Sequence, residues 1–198
     1  MVFTFSKDRK PYDVTKFAKY FDLKKPVEDF DKKFAELEKK LGYQFNSNYK
    51  RFLYLFGGAS LKSEQYSIKF MEEIPFYAND FSHLEILSIN MEDKDNIWSA
   101  WQHLLYRIPK NKLPIGIIDN QNYLVFDKRF GEICVHLHDH CEGVFKIQDC
   151  LKELLEAIYQ EDNRYFDKEK LDKIKIETTS ELDEAAERWK KEHGEKNI

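Results

Sequence analysis

The chain has no apolar run approaching the ~18–20 residues needed to cross a bilayer, and the apolar stretch Leu113-Pro-Ile-Gly-Ile-Ile118 breaks off at Asp119. A membrane-spanning helix is excluded on that ground. Met1-Val2-Phe3-Thr4-Phe5 runs into lysine and aspartate too soon for a secretory signal, so a cytoplasmic protein is expected. Cysteine is scarce and odd in number. Cys134, Cys141 and Cys150 show no Cys-x-x-Cys spacing, which argues against a disulfide scaffold. Gly57-Gly58 lacks the Lys-Ser/Thr of a phosphate-binding loop and reads better as a tight helix exit. There is no internal repeat and no low-complexity tract. A surplus of positive charge is missing too: the formal net charge is −4. A phosphate-binding face should be basic, so nucleic acid is not expected as the main ligand.

What is present is enough apolar material for a core. The 198 residues are 42% hydrophobic, with 16 Phe and 11 Tyr, and domains cluster around ~100–150 residues, so one domain with appended segments is expected. Charge is spread unevenly. Residues 1–62 carry 14 basic and 8 acidic side chains, whereas 63–108 carry 3 and 8. Such asymmetry bears on partners and encounter rates rather than on fold.

Residues 112–147 organise the chain. Leu113–Asp119, Asn122–Asp127, Glu132–His138 and Gly143–Ile147 are β-rich runs separated by short turns, which predicts an antiparallel meander. Upstream, Asp13 or Thr15 is expected to cap a short helix carrying Phe17, Tyr20 and Phe21. Pro26 fits the first turn of a helix with Val27, Phe30, Phe34, Leu37 and Leu41 on one face, ended by Gly42. Asn46 or Ser47 caps a third helix with Tyr49, Phe52, Leu53 and Phe56. Strands are expected around Tyr66–Met71 and Leu84–Ile89. Asp95 is read as capping a helix in which Ile97, Trp98, Trp101, Leu105 and Ile108 share a buried face. Asp149 is read as capping one with Leu151, Leu154, Leu155 and Ile158. Beyond it, Gln160–Lys173 reads as a charged linker, Ile174–Thr178 as an edge strand and Ser180–His193 as an amphipathic helix. The fold class expected is α+β, a mixed, mostly antiparallel sheet flanked by N-terminal helices and a C-terminal helix. The domain plan is an extension over 1–26, the core domain over 27–160 and a charged extension over 161–198.

Three segments in series carry a family resemblance. The first runs from Phe34 through Leu41-Gly42, Tyr49, Phe52-Leu53 and Phe56 to Gly57-Gly58. The second is Leu113-Pro-Ile-Gly116 followed by Asn122-Tyr-Leu-Val-Phe-Asp127. The third is Gly131-Glu-Ile-Cys-Val135 running to Asp139-His140, with Glu142 one place later than the pattern has it. Together they resemble the SUKH superfamily, which takes its name from a yeast cell-wall synthesis regulator and includes many bacterial toxin-immunity proteins. The resemblance implies a non-enzymatic protein that binds a cognate toxin, in many cases a nuclease, and occludes it. A regulatory scaffold like the yeast namesake is the alternative.

Chemical readings of individual residues are weaker. His136, His138 and His140 alternate and would share one face if the strand ran that far, but residues at i, i+2 and i+4 spread over ~13 Å, too far for one zinc ion without a bend. No metal, cofactor or catalytic residue is therefore expected, and a small metalloenzyme built on these histidines is the least favoured reading. Cys134 or Cys141 beside a histidine lacks any visible orienting group or oxyanion site. Trp98 and Trp101 are read as core. The acids Glu72, Glu73, Asp80, Glu85, Glu92, Asp93 and Asp95, with Lys94 the one lysine among them, are the candidate partner-binding surface. A basic toxin would gain steering and complementarity from such a surface.

Overall fold

The structure, a computed structural model, describes residues 11–74, 78–139 and 143–160. The residues read as a C-terminal strand and helix (174–193), and His140, Cys141 and Glu142, lie outside the described residues.

Helices and strands share one core. Val14–Tyr20 is a 3₁₀ helix whose cap, Asp13, accepts from the Thr15 amide; Phe21 leaves it as the first residue of β1 (Phe21–Asp22). α1 is Phe30–Leu41 and buries Phe30, Phe34, Leu37 and Leu41, the stripe its spacing predicts. Its start differs from the expectation. Asp29 caps it in the left-handed region (φ 52°), so the chain turns sharply between Pro26 and Phe30 and the proline stays outside the first turn. Gly42 (φ 61°) closes α1 by donating its amide to the Glu38 carbonyl. α2, Ser47–Phe56, is capped by Asn46, whose side chain accepts from the Tyr49 amide.

Among the described residues the main sheet has seven strands, in the order β1-β2-β5-β6-β7-β8-β9. After β1 come β2 (Ser60–Leu61), β5 (Leu84–Ile86), β6 (Lys112–Ile118), β7 (Asn122–Asp127), β8 (Ile133–His136) and β9 (Val144–Gln148). The predicted meander is thus present as β6 to β9. A smaller sheet, β10-β3-β4, joins β3 (Tyr66–Lys69) to β4 (Asp80–Phe81) and to β10 (Ile158–Gln160). Every ladder among these strands is antiparallel; Ser88 and Asn96 form an isolated parallel bridge. The expected α+β class stands.

β6 explains the Leu-Pro-Ile-Gly segment. Pro114 has no amide to give its neighbours, and the β6–β7 register shifts between Pro114 and Gly116. Gly116 faces Ile86 of β5, where a methyl group would come within 2.9 Å of Leu84 Cδ1 and 3.0 Å of the Glu85 carbonyl. Only glycine lets the two strands approach.

The sheet is covered on both sides. One face carries Leu124, Phe126, Ile133 and Val135 into the main core with α1 and α2. Aromatic rings make the join: Phe45 stacks on Tyr49 at 4.7 Å, and Tyr49 lies 4.9 Å from Phe126. The other face carries Val125 and Cys134 against Leu104 and Ile108 at the end of α3 (Ile97–Leu104).

Here four expectations need correction. The cap of α3 is Asn96, whose side chain accepts from the Ser99 amide, not Asp95. Its buried residues are Ile97, Ala100 and Leu104, so Trp98, Trp101 and Leu105 are rotated to the flank, where they are half-buried. The two indoles stack on each other at 5.5 Å and rest against the core rather than inside it. Likewise α4 (Leu151–Glu156) is preceded by Cys150 as cap, not Asp149, and Ile158 belongs to β10.

Candidate functional site

The seven acids lie on loops and short strands, and they do not form one patch. Glu72 and Glu73 follow β3 and are exposed. Glu72 Oε1 is 3.1 Å from Lys146 Nζ on β9. Asp149 first, and Glu72 after it, hold that ammonium well above the ordinary lysine range. Asp80, on β4, accepts a hydrogen bond from the Tyr159 hydroxyl. Glu85, Asp93 and Asp95 do come together. They line a cleft of about 280 Å³ that also contains Lys24, Lys25 and Lys94, with Lys24 Nζ 3.8 Å from Glu85 Oε1. Asp93 accepts from the Asn90 side-chain amide at 2.9 Å, which shapes the loop leading into α3. Glu92 stands exposed beside them. Lys24, Lys25 and Lys146 are distant in sequence, so the local charge count understated the cations near these acids.

A second feature was missed by sequence reading. Tyr12, Val14, Phe30, Tyr54 and Leu55 line a largely apolar groove of about 760 Å³, with Asp13, Asp31, Lys50 and Arg51 among its charged residues. Lys50 Nζ and Asp31 Oδ1 are 2.7 Å apart and tie α2 to α1. The available signal was Tyr54: it falls off the buried stripe of α2, leaves half its surface in water, and stacks edge-on to Phe30 at 5.0 Å.

The meander holds a buried polar cluster. Lys112 Nζ lies 2.8 Å from Asp127 Oδ2 and 3.1 Å from Cys134 Sγ. Burial favours the neutral forms of both charged groups. Their mutual contact outweighs it, so Lys112 is held above and Asp127 below its ordinary value. Asp127 Oδ1 also accepts from the amides of Arg129 and Phe130, making it the anchor of the β7–β8 turn. Burial pushes the Cys134 thiol up, with Lys112 opposing. A thiol so placed stays protonated and is a poor nucleophile.

The strand does not run far enough to set His136 and His138 on one face, and His140 lies outside the described residues. β8 ends at His136, which is buried with its Nδ1 3.1 Å from the Gly143 carbonyl. That contact makes Nδ1 the protonated nitrogen and leaves Nε2 buried with no partner among the described residues. His138 lies in a turn, exposed, between Asn122 Oδ1 at 3.0 Å and Asp139 Oδ1 at 2.9 Å. Among the described residues no group of three or more His, Cys, Asp or Glu side chains is placed to hold a metal ion. None of the described helices is long and apolar enough to cross a membrane.

No curated protein matches the chain. The model of the SMI1 / KNR4 family (SUKH-1) matches residues 31–157, a span that begins in α1 and ends just before β10. All three motif segments fall inside it, and their glycine and aspartate positions are the ones that build the α2 exit, the close β5–β6 approach and the Asp127 turn. The chain therefore belongs to the SMI1 / KNR4 family (SUKH-1).

Proposed function

We propose that this protein performs no chemistry and acts by binding: it occupies a cognate protein toxin and blocks its working surface. The observation that carries the reading is the family match through residues 31–157. The charged loops support it, because Glu73, Glu92 and Asp93 remain exposed at positions where partner contacts concentrate. The candidate partner-facing acids are Glu72, Glu73, Asp80, Glu85, Glu92, Asp93 and Asp95, and the toxin faces one group of them. A toxin that cleaves nucleic acid needs a basic cleft, and carboxylates on this chain would steer toward it and fill it. No nucleic acid, cofactor or membrane enters the mechanism, and the site of action is the cytoplasm.

The test begins at the gene's neighbourhood, where a large toxin gene immediately upstream is expected and an isolated locus favours regulation; co-expression with that toxin and stopped-flow association of the purified pair follow. Cell survival and a fast association that slows steeply with salt are expected. Because Glu72 and Glu73 lie apart from Glu92 and Asp93, lysine pairs at each site are measured separately, and the pair that faces the toxin loses the salt dependence. Failure to protect, with no complex formed, overturns the reading and favours a regulatory scaffold of the yeast namesake's kind.

A further inference from the structure

One flank of α3 carries aromatic side chains that the core covers only in part. Trp98, Trp101 and Leu105 are half-buried. Tyr106, on the turn that follows, is 96% exposed and packs on none of the described residues. Lys40 reaches across from α1 to sit 5.5 Å from the Trp98 ring, which leaves the rest of the flank open. Trp, Tyr and Arg are the side chains that dominate the energetics of protein interfaces, and here Trp98, Trp101, Tyr106 and Arg107 occur within ten residues.

The charges around this flank have a direction. Exposed Glu92 and Asp93, followed by Lys94 and Asp95, leave the approach to α3 net acidic despite Lys24 and Lys25 nearby, and exposed Arg107 and Lys110 follow the helix. From Asn96 to Ile118 there is no carboxylate at all. A helix with acids before its start and cations after its end is self-complementary when two copies lie antiparallel. Each acidic end then meets the other copy's basic end, with the aromatic residues between them at the two-fold axis. Parallel packing would set like charge on like. We propose that the α3 flank is a homodimer interface, in which the second copy covers Trp98, Trp101 and Tyr106 while Glu92 and Asp93 of each chain face Arg107 and Lys110 of its mate. The inference concerns the free protein, and a toxin that engages Glu92 and Asp93 would displace the second copy from this end of the flank.

Sedimentation equilibrium of the full chain across a range of concentrations tests it. A monomer–dimer equilibrium that weakens with added salt is expected. Tyr106→Ser removes a side chain with no packing role and should weaken dimerisation about tenfold or more at unchanged melting temperature. Two charge variants complete the experiment: Glu92→Arg with Asp93→Lys, and Arg107→Glu with Lys110→Glu. Each alone should be monomeric, and their mixture should form a heterodimer because both charged contacts are restored. A wild-type chain that stays monomeric throughout, a dimer untouched by Tyr106→Ser, or a mixture of the charge variants that stays monomeric overturns the proposal.

Discussion

Lys112 and Asp127 are register partners across β6 and β7, and their side chains meet at 2.8 Å while only 13% and 3% exposed. The pair closes one end of the meander. Its carboxylate also ties Asn111, at 2.7 Å, and the amides of the β7–β8 turn.

Removing one member strands the other in a poorly solvated place. Asp127→Ala should therefore destabilise the protein by about 3–5 kcal/mol. Lys112→Met should cost less, because Asp127 keeps its amide and Asn111 donors. Urea unfolding of the two variants checks the order. Equal losses would show that the turn contacts contribute little.

His136 makes stability depend on pH. Burial, with Arg107 and His138 adding to it against the Gly143 contact, holds its pKa below the ordinary 6.5. A group whose folded pKa is depressed contributes stability above its unfolded value, and that stability is lost as pH falls through the window below about 6.5. His136→Leu should flatten this part of the profile relative to wild type in melts taken between pH 5 and 8. Parallel profiles would mean that the ring protonates freely in the native state.

Gly116→Ala should destabilise by roughly 1–3 kcal/mol through overpacking of β6 against β5, given the 2.9 Å and 3.0 Å approaches its methyl would make. A thermal melt reads this directly. An unchanged melting temperature would show that β5 can move away at no cost.

The tryptophan flank separates packing from exposure. Trp101→Ala should cost only about 1–2 kcal/mol, since the ring is half-buried. Phe52→Ala, at a side chain with no exposure, should cost about 3–5 kcal/mol. Similar losses in the two variants would place Trp101 in the core after all.

These contrasts also show what could be read from the chain. The meander was legible because its information is local: β-branched runs, with Asn, Asp and Gly at the turns between them. The stripes of α1 and α2 were legible because large residues repeat at helical spacing. α3 was misoriented because Ala100, a small residue, holds the buried position while two indoles take the flank. The outer strands escaped notice for a different reason. β1, β2, β4 and β10 are two or three residues long, too short for alternation to show, and their pairing depends on residues far away. The candidate surface suffered in the same way. A charge count along 72–95 cannot see that Lys146 sits on Glu72 or that Lys24 sits by Glu85.

The pairing of β10 with β3 has a consequence for how the molecule is born. Gln160 lies opposite Tyr66 and Ile158 opposite Ile68, so the middle strand of the small sheet waits for roughly ninety residues of chain before its second neighbour exists. At ~5–20 residues per second of synthesis that interval lasts on the order of 5–20 s. Throughout it one edge of β3 is open, with its amides and carbonyls available to any passing strand. The lysine at Lys69 and the brevity of β3 are the features that make such an edge unattractive while it waits.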